Sequence, residues 1–101
     1  MIRRIVKLTF QETKIGEFQQ IFEESKALIR DFPGCQHLEL WQAKSPLHMV
    51  FMTYSHWEDE AALERYRHSS LFKETWAKTK ILFAAKPEAW SLELTNTSNP
   101  K

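Results

Sequence analysis

Two runs, Cys35-Gln36-His37-Leu38-Glu39-Leu40-Trp41-Gln42 and His48-Met49-Val50-Phe51-Met52-Thr53-Tyr54-Ser55-His56, alternate apolar with polar or aromatic residues. Such alternation is the period of a strand with one face toward a core. Between them, Ala43-Lys44-Ser45-Pro46-Leu47 is a polar connection containing proline, which suits a hairpin with a longer loop. These residues therefore predict the middle of an antiparallel sheet.

Upstream, Ile2 to Phe10 alternates again, with Arg4, Val6, Leu8 and Phe10 on one side and Ile5, Lys7 and Thr9 on the other. From Lys14 to Asp31 the period becomes helical, and Phe18, Ile21, Phe22, Ser25, Leu28 and Ile29 form one stripe. Phe32-Pro33-Gly34 stops that helix, because proline cannot continue it and glycine accepts a left-handed turn. Downstream, Trp57-Glu58-Asp59-Glu60 opens a short helix carrying Leu63 and Tyr66, and Ser69-Ser70 supplies a new cap. A further helix places Phe72, Trp76, Thr79 and Phe83 on one face before Pro87 breaks it, and Ala89 to Thr95 reads as a last strand. The order is β-α-β-β-α-β with the second α split. It predicts an α+β, ferredoxin-like fold with a four-stranded antiparallel sheet and helices on one face. Residues 1–95 are expected to form a single domain, and 96–101 a loose polar tail.

Composition removes several function classes. Only two glycines are present among 101 residues, so neither a phosphate-cradling loop nor a dinucleotide fingerprint can be written. Lys and Arg number 14 against 13 acids, which gives no overall pull toward nucleic acid or anionic lipid. No apolar run approaches the ~20 residues of a membrane span, and the N-terminal apolar stretch breaks at Lys7, against a secretory leader. The single cysteine, Cys35, excludes an intrachain disulfide framework and fits a buried thiol in a reducing, cytoplasmic setting.

Pairing the hairpin so that Trp41 opposes Met49 groups Leu38, Leu40, Val50, Met52 and Tyr54 on one face. Cys35, His37, Trp41, Met49 and Phe51 then share the other. A one-residue slip regroups the strands but leaves both faces apolar. The helices can cover only one, so the other calls for a cover, and a homodimer packed sheet to sheet is the leading expectation. Tolerated exposure is one competing reading, and a base-stacking surface is the other. The latter fails on the absence of glycine, lysine and arginine from the His48–Tyr54 run, and no nucleic-acid partner is expected.

The histidines His37, His48, His56 and His68 show no HxH or HxxxH pair, so no metal site is expected. Aromatic residues are more informative: Trp57, Tyr66, Phe72, Trp76 and Phe83 crowd the second helical region. Phe72 and Phe83 read as core. Tyr66 and Trp76 carry polar tips that need partners when buried, and Val6 and Leu8 share the strand face that Phe18 and Phe22 must cover. A cavity lined by Tyr66, Trp76, Val6, Leu8 and Phe22 is therefore expected, sized for a flat organic molecule.

The Pro33-Gly34-Cys35 turn, the Thr53-to-Leu63 helix entry and Tyr66-Arg67-His68-Ser69-Ser70-Leu71-Phe72 together resemble the antibiotic biosynthesis monooxygenase family of dimeric α+β barrels, over about residues 2–94. The resemblance implies a homodimer with facing sheets and a pocket in each protomer. Members include oxygenases of aromatic polyketides that use no cofactor, haem-degrading enzymes and proteins acting on small signalling molecules. The haem-degrading branch uses a strand asparagine, a tryptophan and an iron-binding histidine. Val6, Tyr66 and Trp76 stand at those positions here, so that route is not expected. The bulkier Trp76 favours ligands of one to three rings.

The leading expectation is a small monooxygenase without metal, flavin or other cofactor, acting on an electron-rich aromatic or enolisable small molecule. His68 is the first candidate base, ahead of His56 and His37. Tyr66 and Trp76 would orient the ring and Arg67 would steady an anion. The alternative is a non-catalytic small-molecule-binding or stress-response protein with the same pocket.

Overall fold

The computed structural model describes residues 1–99, so the end of the predicted tail, residues 100 and 101, lies outside the described residues. The elements follow the order β1 (Ile2–Thr9), α1 (Ile15–Arg30), β2 (Cys35–Gln42), β3 (Val50–Trp57), α2 (Glu60–Arg67), α3 (Ser70–Lys80) and β4 (Glu88–Leu92). The strands form one antiparallel sheet in the order β2-β3-β1-β4. This is the α+β, ferredoxin-like arrangement with the second helical segment split. Among the described residues, no helix is long and apolar enough to cross a membrane.

The split is made by one side chain. The Ser69 hydroxyl donates to the Tyr66 carbonyl at 2.6 Å and accepts from the Phe72 N–H at 3.1 Å. It closes the end of α2 and caps α3 together, which turns the chain between the two short helices. Asp59 caps α2 by accepting from the Ala62 N–H at 2.8 Å.

The hairpin register differs from the expected one. Trp41 opposes Met52, not Met49, and an irregularity between Cys35 and His37 shifts the register again. The cause is the connection. Ala43 N–H bonds the Val50 carbonyl and Val50 N–H bonds the Leu47 carbonyl, each at 2.9 Å, so β3 begins at Val50 and the loop also takes in His48 and Met49. An odd displacement turns β3 over relative to β2. Phe51, grouped with Trp41 by sequence, instead joins Leu8, Phe10, Phe18 and Leu82 under the helices. Cys35 also lies on the helix side, with Trp57, Ala62 and Leu63.

Two other boundaries move. Phe83 lies beyond α3 and bridges Phe10, because the Gln11 and Ala84 N–H groups bond Leu82 and Thr9 carbonyls and draw the chain against the end of β1. β4 stops at Leu92, short of the expected Thr95.

The sheet face away from the helices is uncovered in the protomer. Trp41 stacks on Tyr54 at 4.8 Å, and His37, His56, Met52, Ile5 and Trp90 extend the patch. Glu39 accepts from the Trp41 indole at 2.7 Å and pairs with His37, and these two bonds hold its carboxyl below the usual range.

The His56 Nε2 atom is buried there without a hydrogen-bond partner. Burial first, then Arg3 and His37, push its pKa below 6.5, with Glu39 opposing. A histidine depressed in the folded state contributes stability above its unfolded pKa and loses it as pH falls through the folded one. The melting temperature of the wild type is therefore expected to fall more between pH 7 and pH 5 than that of His56→Gln. Equal slopes would remove His56 from the account.

Candidate functional site

A cavity of about 360 Å³ lies between the helix-side face of the sheet and the three helices. That volume falls in the lower part of the ~300–1,000 Å³ range of small-molecule sites. Strand alternation sends Arg4, Val6 and Leu8 of β1 to its floor, together with Thr53, Ser55 and Trp57 of β3. The stripe of α1 supplies Phe18 and Phe22, and α2 and α3 supply Tyr66, Arg67, Phe72 and Trp76.

The aromatic wall is continuous. Trp57 stacks on Tyr66 at 4.9 Å, Tyr66 meets Phe72 edge-on at 5.3 Å, and Phe72 stacks on Trp76 at 5.7 Å. The turn at Ser69 permits this, since it bends α2 and α3 round one space. Trp57 is anchored through its indole N–H, which donates to Ser55 Oγ at 3.0 Å. The rings thus form a stiff slot for a planar molecule.

Most of the polar groups in the lining are already engaged, and Glu88, its carboxylate among the described residues, pairs with Lys7 at 3.8 Å. Ser25 and Thr79 spend their hydroxyls on backbone carbonyls one turn earlier, each at 2.8 Å. Burial pushes the Tyr66 phenol up to about 12, with the nearby Cys35 adding to the shift, so it stays protonated at physiological pH and is available as a donor. Arg67 is tied to Glu64 at 2.9 Å. Arg4 extends from the floor, and its Nη1 donates to Ser91 Oγ at 3.0 Å. Burial first, then Arg67, lower its pKa, with Glu64 acting in the opposite sense. An arginine remains charged through such a shift.

Tyr66, Trp76, Val6, Leu8, Phe22 and Arg67 all line this one space. His68 is not among its lining residues: its side chain is 76% exposed at the end of α2 and faces Glu64 one turn back at 3.4 Å. His37 and His56 lie on the opposite face of the sheet. Arg4 is the polar residue that pattern reading passed over, although its signal was visible: a cation in strand alternation with Val6, Leu8 and Phe10. Ser55 carried no comparable signal, because its role depends on the β3 register, and Trp57 stood in the aromatic run without a pattern that places it in the cavity. Among the described residues, no cluster of three or more His, Cys, Asp or Glu is placed to hold a metal.

Solved structures share this architecture. The chain is similar to a conserved protein from Methanosarcina mazei Go1, with TM-score 0.86 and 19% identity over 93% of this chain and 92% of that one. It is also similar to an antibiotic biosynthesis monooxygenase, with TM-score 0.87 and 16% identity over 95% and 100% of the two chains. Rv0793 from Mycobacterium tuberculosis matches with TM-score 0.86 and 12% identity over 97% and 98%. At these identities the likeness establishes the fold. No protein with a curated description matches the sequence. Family membership rests on the sequence itself, which over residues 1–78 fits the family model for antibiotic biosynthesis monooxygenases, and the chain belongs to that family.

Proposed function

We propose that the protein is a small monooxygenase acting on an electron-rich aromatic or enolisable molecule held in the cavity between sheet and helices. The observation that carries this reading is the stacked wall Trp57–Tyr66–Phe72–Trp76 around a space of about 360 Å³, which suits a planar substrate of one to three rings. Family membership adds the reaction type.

The substrate supplies the electrons. Loss of one proton from an activated CH₂ gives an enolate or phenolate, whose carbon adds to O₂ to form a peroxide anion. Protonation gives the hydroperoxide, and loss of water with the remaining C–H hydrogen leaves a carbonyl. The balance is CH₂ + O₂ → C=O + H₂O, with dioxygen as oxidant and no further reductant. The protein's part is to exclude water, orient the ring and stabilise the anion. Tyr66, Arg4 and Arg67 provide the donors.

Proton removal is assigned to solvent at the cavity mouth, since no imidazole lines the cavity. Oxygen uptake with a panel of dihydroxylated aromatics and anthrone-like ketones tests the reading. The wild type should consume oxygen, Tyr66→Phe should lose about tenfold, and His68→Ala should retain most of the rate. A large loss in His68→Ala would return that residue to the role of base. Binding without uptake by any substrate would identify a carrier instead.

The protein is further proposed to act as a homodimer packed through the open sheet face. Trp41 and Trp90, each 43% exposed there, are the apolar groups such packing would cover.

A further inference from the structure

The ion pairs among the described residues join Lys7 to Glu88, Lys26 to Glu23, Arg67 to Glu64, and three histidines to glutamates. Arg4 takes part in none of them, although it sits half-buried on the apolar floor of the cavity. Its one side-chain hydrogen bond among the described residues, to Ser91 Oγ, leaves most of its five N–H donors unspent. A half-buried guanidinium with no carboxylate in ion-pair contact is costly unless something anionic completes it, and Glu64 acts on Arg4 only from beyond that distance. Arg67 lines the same cavity with its charge offset by Glu64, and Glu88, which also lines it, is paired with Lys7 at 3.8 Å, so Arg4 is the charge left outside an ion pair at the polar end of an aromatic slot.

We propose that the cavity selects its planar ligand in anionic form, an ionised carboxylate, phenol or enol whose oxygen is held by Arg4 with Arg67 beside it. This rests on the reading of the cavity as the ligand site and names the chemistry it accepts. The pair gives the arrangement a catalytic consequence. Two guanidinium groups facing a phenol or enol favour its conjugate base, so the electron-rich species accumulates in the cavity without a side-chain base. Arg4 is a fork held in place by Ser91 Oγ, so it can present two N–H groups to one oxyanion or to both oxygens of a carboxylate. The ring then lies along Trp57, Tyr66 and Trp76.

Calorimetric titration with 2-naphthoate and its neutral isostere 2-naphthamide provides the test. The expected result is at least tenfold tighter binding of naphthoate, weakening as salt is raised. Arg4→Gln should abolish the preference by weakening naphthoate far more than naphthamide, and Arg4→Lys should keep part of it. With 4-nitrocatechol, the visible phenolate band should titrate at lower pH when bound to wild type than when free, and this displacement should vanish in Arg4→Gln. Equal affinity for naphthoate and naphthamide overturns the inference but leaves the cavity as a ligand site. So does an Arg4→Gln variant that loses both ligands alike. Failure of both ligands to bind, or naphthamide binding indifferent to Trp76→Ala, overturns the reading of the cavity itself and this inference with it.

Discussion

Phe51→Asp is expected to leave no folded protein, while Met52→Asp, one residue along the same strand, is expected to leave the protomer folded and split the proposed dimer. Phe51 is 1% exposed and packs edge-on against Phe18 at 5.2 Å and against Phe10 at 5.7 Å. Truncating such a ring to alanine alone costs about 3–5 kcal/mol. A carboxylate there must also be desolvated without a partner, and a domain's whole stability is only about 5–15 kcal/mol. Met52 points the other way, between Lys7 and Trp41 in the sheet register. An aspartate there meets the Lys7 ammonium and solvent, so the isolated protomer tolerates it. At a sheet-to-sheet interface it would be an unpaired buried charge, and dissociation should increase by more than a hundredfold. Circular dichroism and sedimentation of the two variants check both halves. A folded Phe51→Asp protein would overturn the register, and a dimeric Met52→Asp protein would overturn the proposed interface.

The register decides how much of this was open to pattern reading. Periodicity marks each element because burial of one face imposes it: the alternation from Arg4 to Phe10 and the stripe from Phe18 to Ile29 lie where they were expected, except that Leu28, at the stripe's edge, is 61% exposed. Pairing is set by backbone hydrogen bonds around the loop, and no residue type announces that Val50 N–H will bond Leu47. Both faces of the hairpin are apolar, so composition cannot arbitrate between the two groupings. The cavity was more legible, because Val6, Leu8, Phe22, Tyr66 and Trp76 are each assigned by helix or strand period and meet once the helices cover β1. His68 was nominated for its neighbours in sequence, yet it caps α2 with its ring beside Glu64. Proximity along the chain does not place a side chain in a cavity, because successive helical residues point about 100° apart.

Gly34→Ala is expected to be among the most damaging single-methyl changes in the protein, and Ala62→Gly is expected to rescue part of it. Gly34 has φ +91°, in the region that a Cβ disfavours. A Cβ added there would stand 2.4 Å from the Ala62 Cβ and 3.7 Å from its Cα, so the methyl would collide with the first turn of α2. Ala62 cannot yield easily: it is fully buried, and its N–H is held by the Asp59 cap. The Gly34 carbonyl also accepts from Glu58 N–H at 2.8 Å, which fastens the turn to the entry of the same helix. The backbone part of the cost is about 1–2 kcal/mol. The collision adds to it as overpacking of typically ~1–3 kcal/mol. Removing the Ala62 methyl relieves only the second part, so the double variant should recover the collision and retain the backbone cost. Denaturant unfolding of the four proteins in this cycle measures the coupling, which should exceed 1 kcal/mol, about the size seen for residues in contact. The functional readout is independent of the unfolding one. Because α2 carries Tyr66 and Arg67, displacement of its first turn should weaken ligand binding in folded Gly34→Ala protein, and the second substitution should restore it. Additive stabilities in the cycle would mean that the turn accommodates the methyl elsewhere and that Gly34 does not set the position of α2.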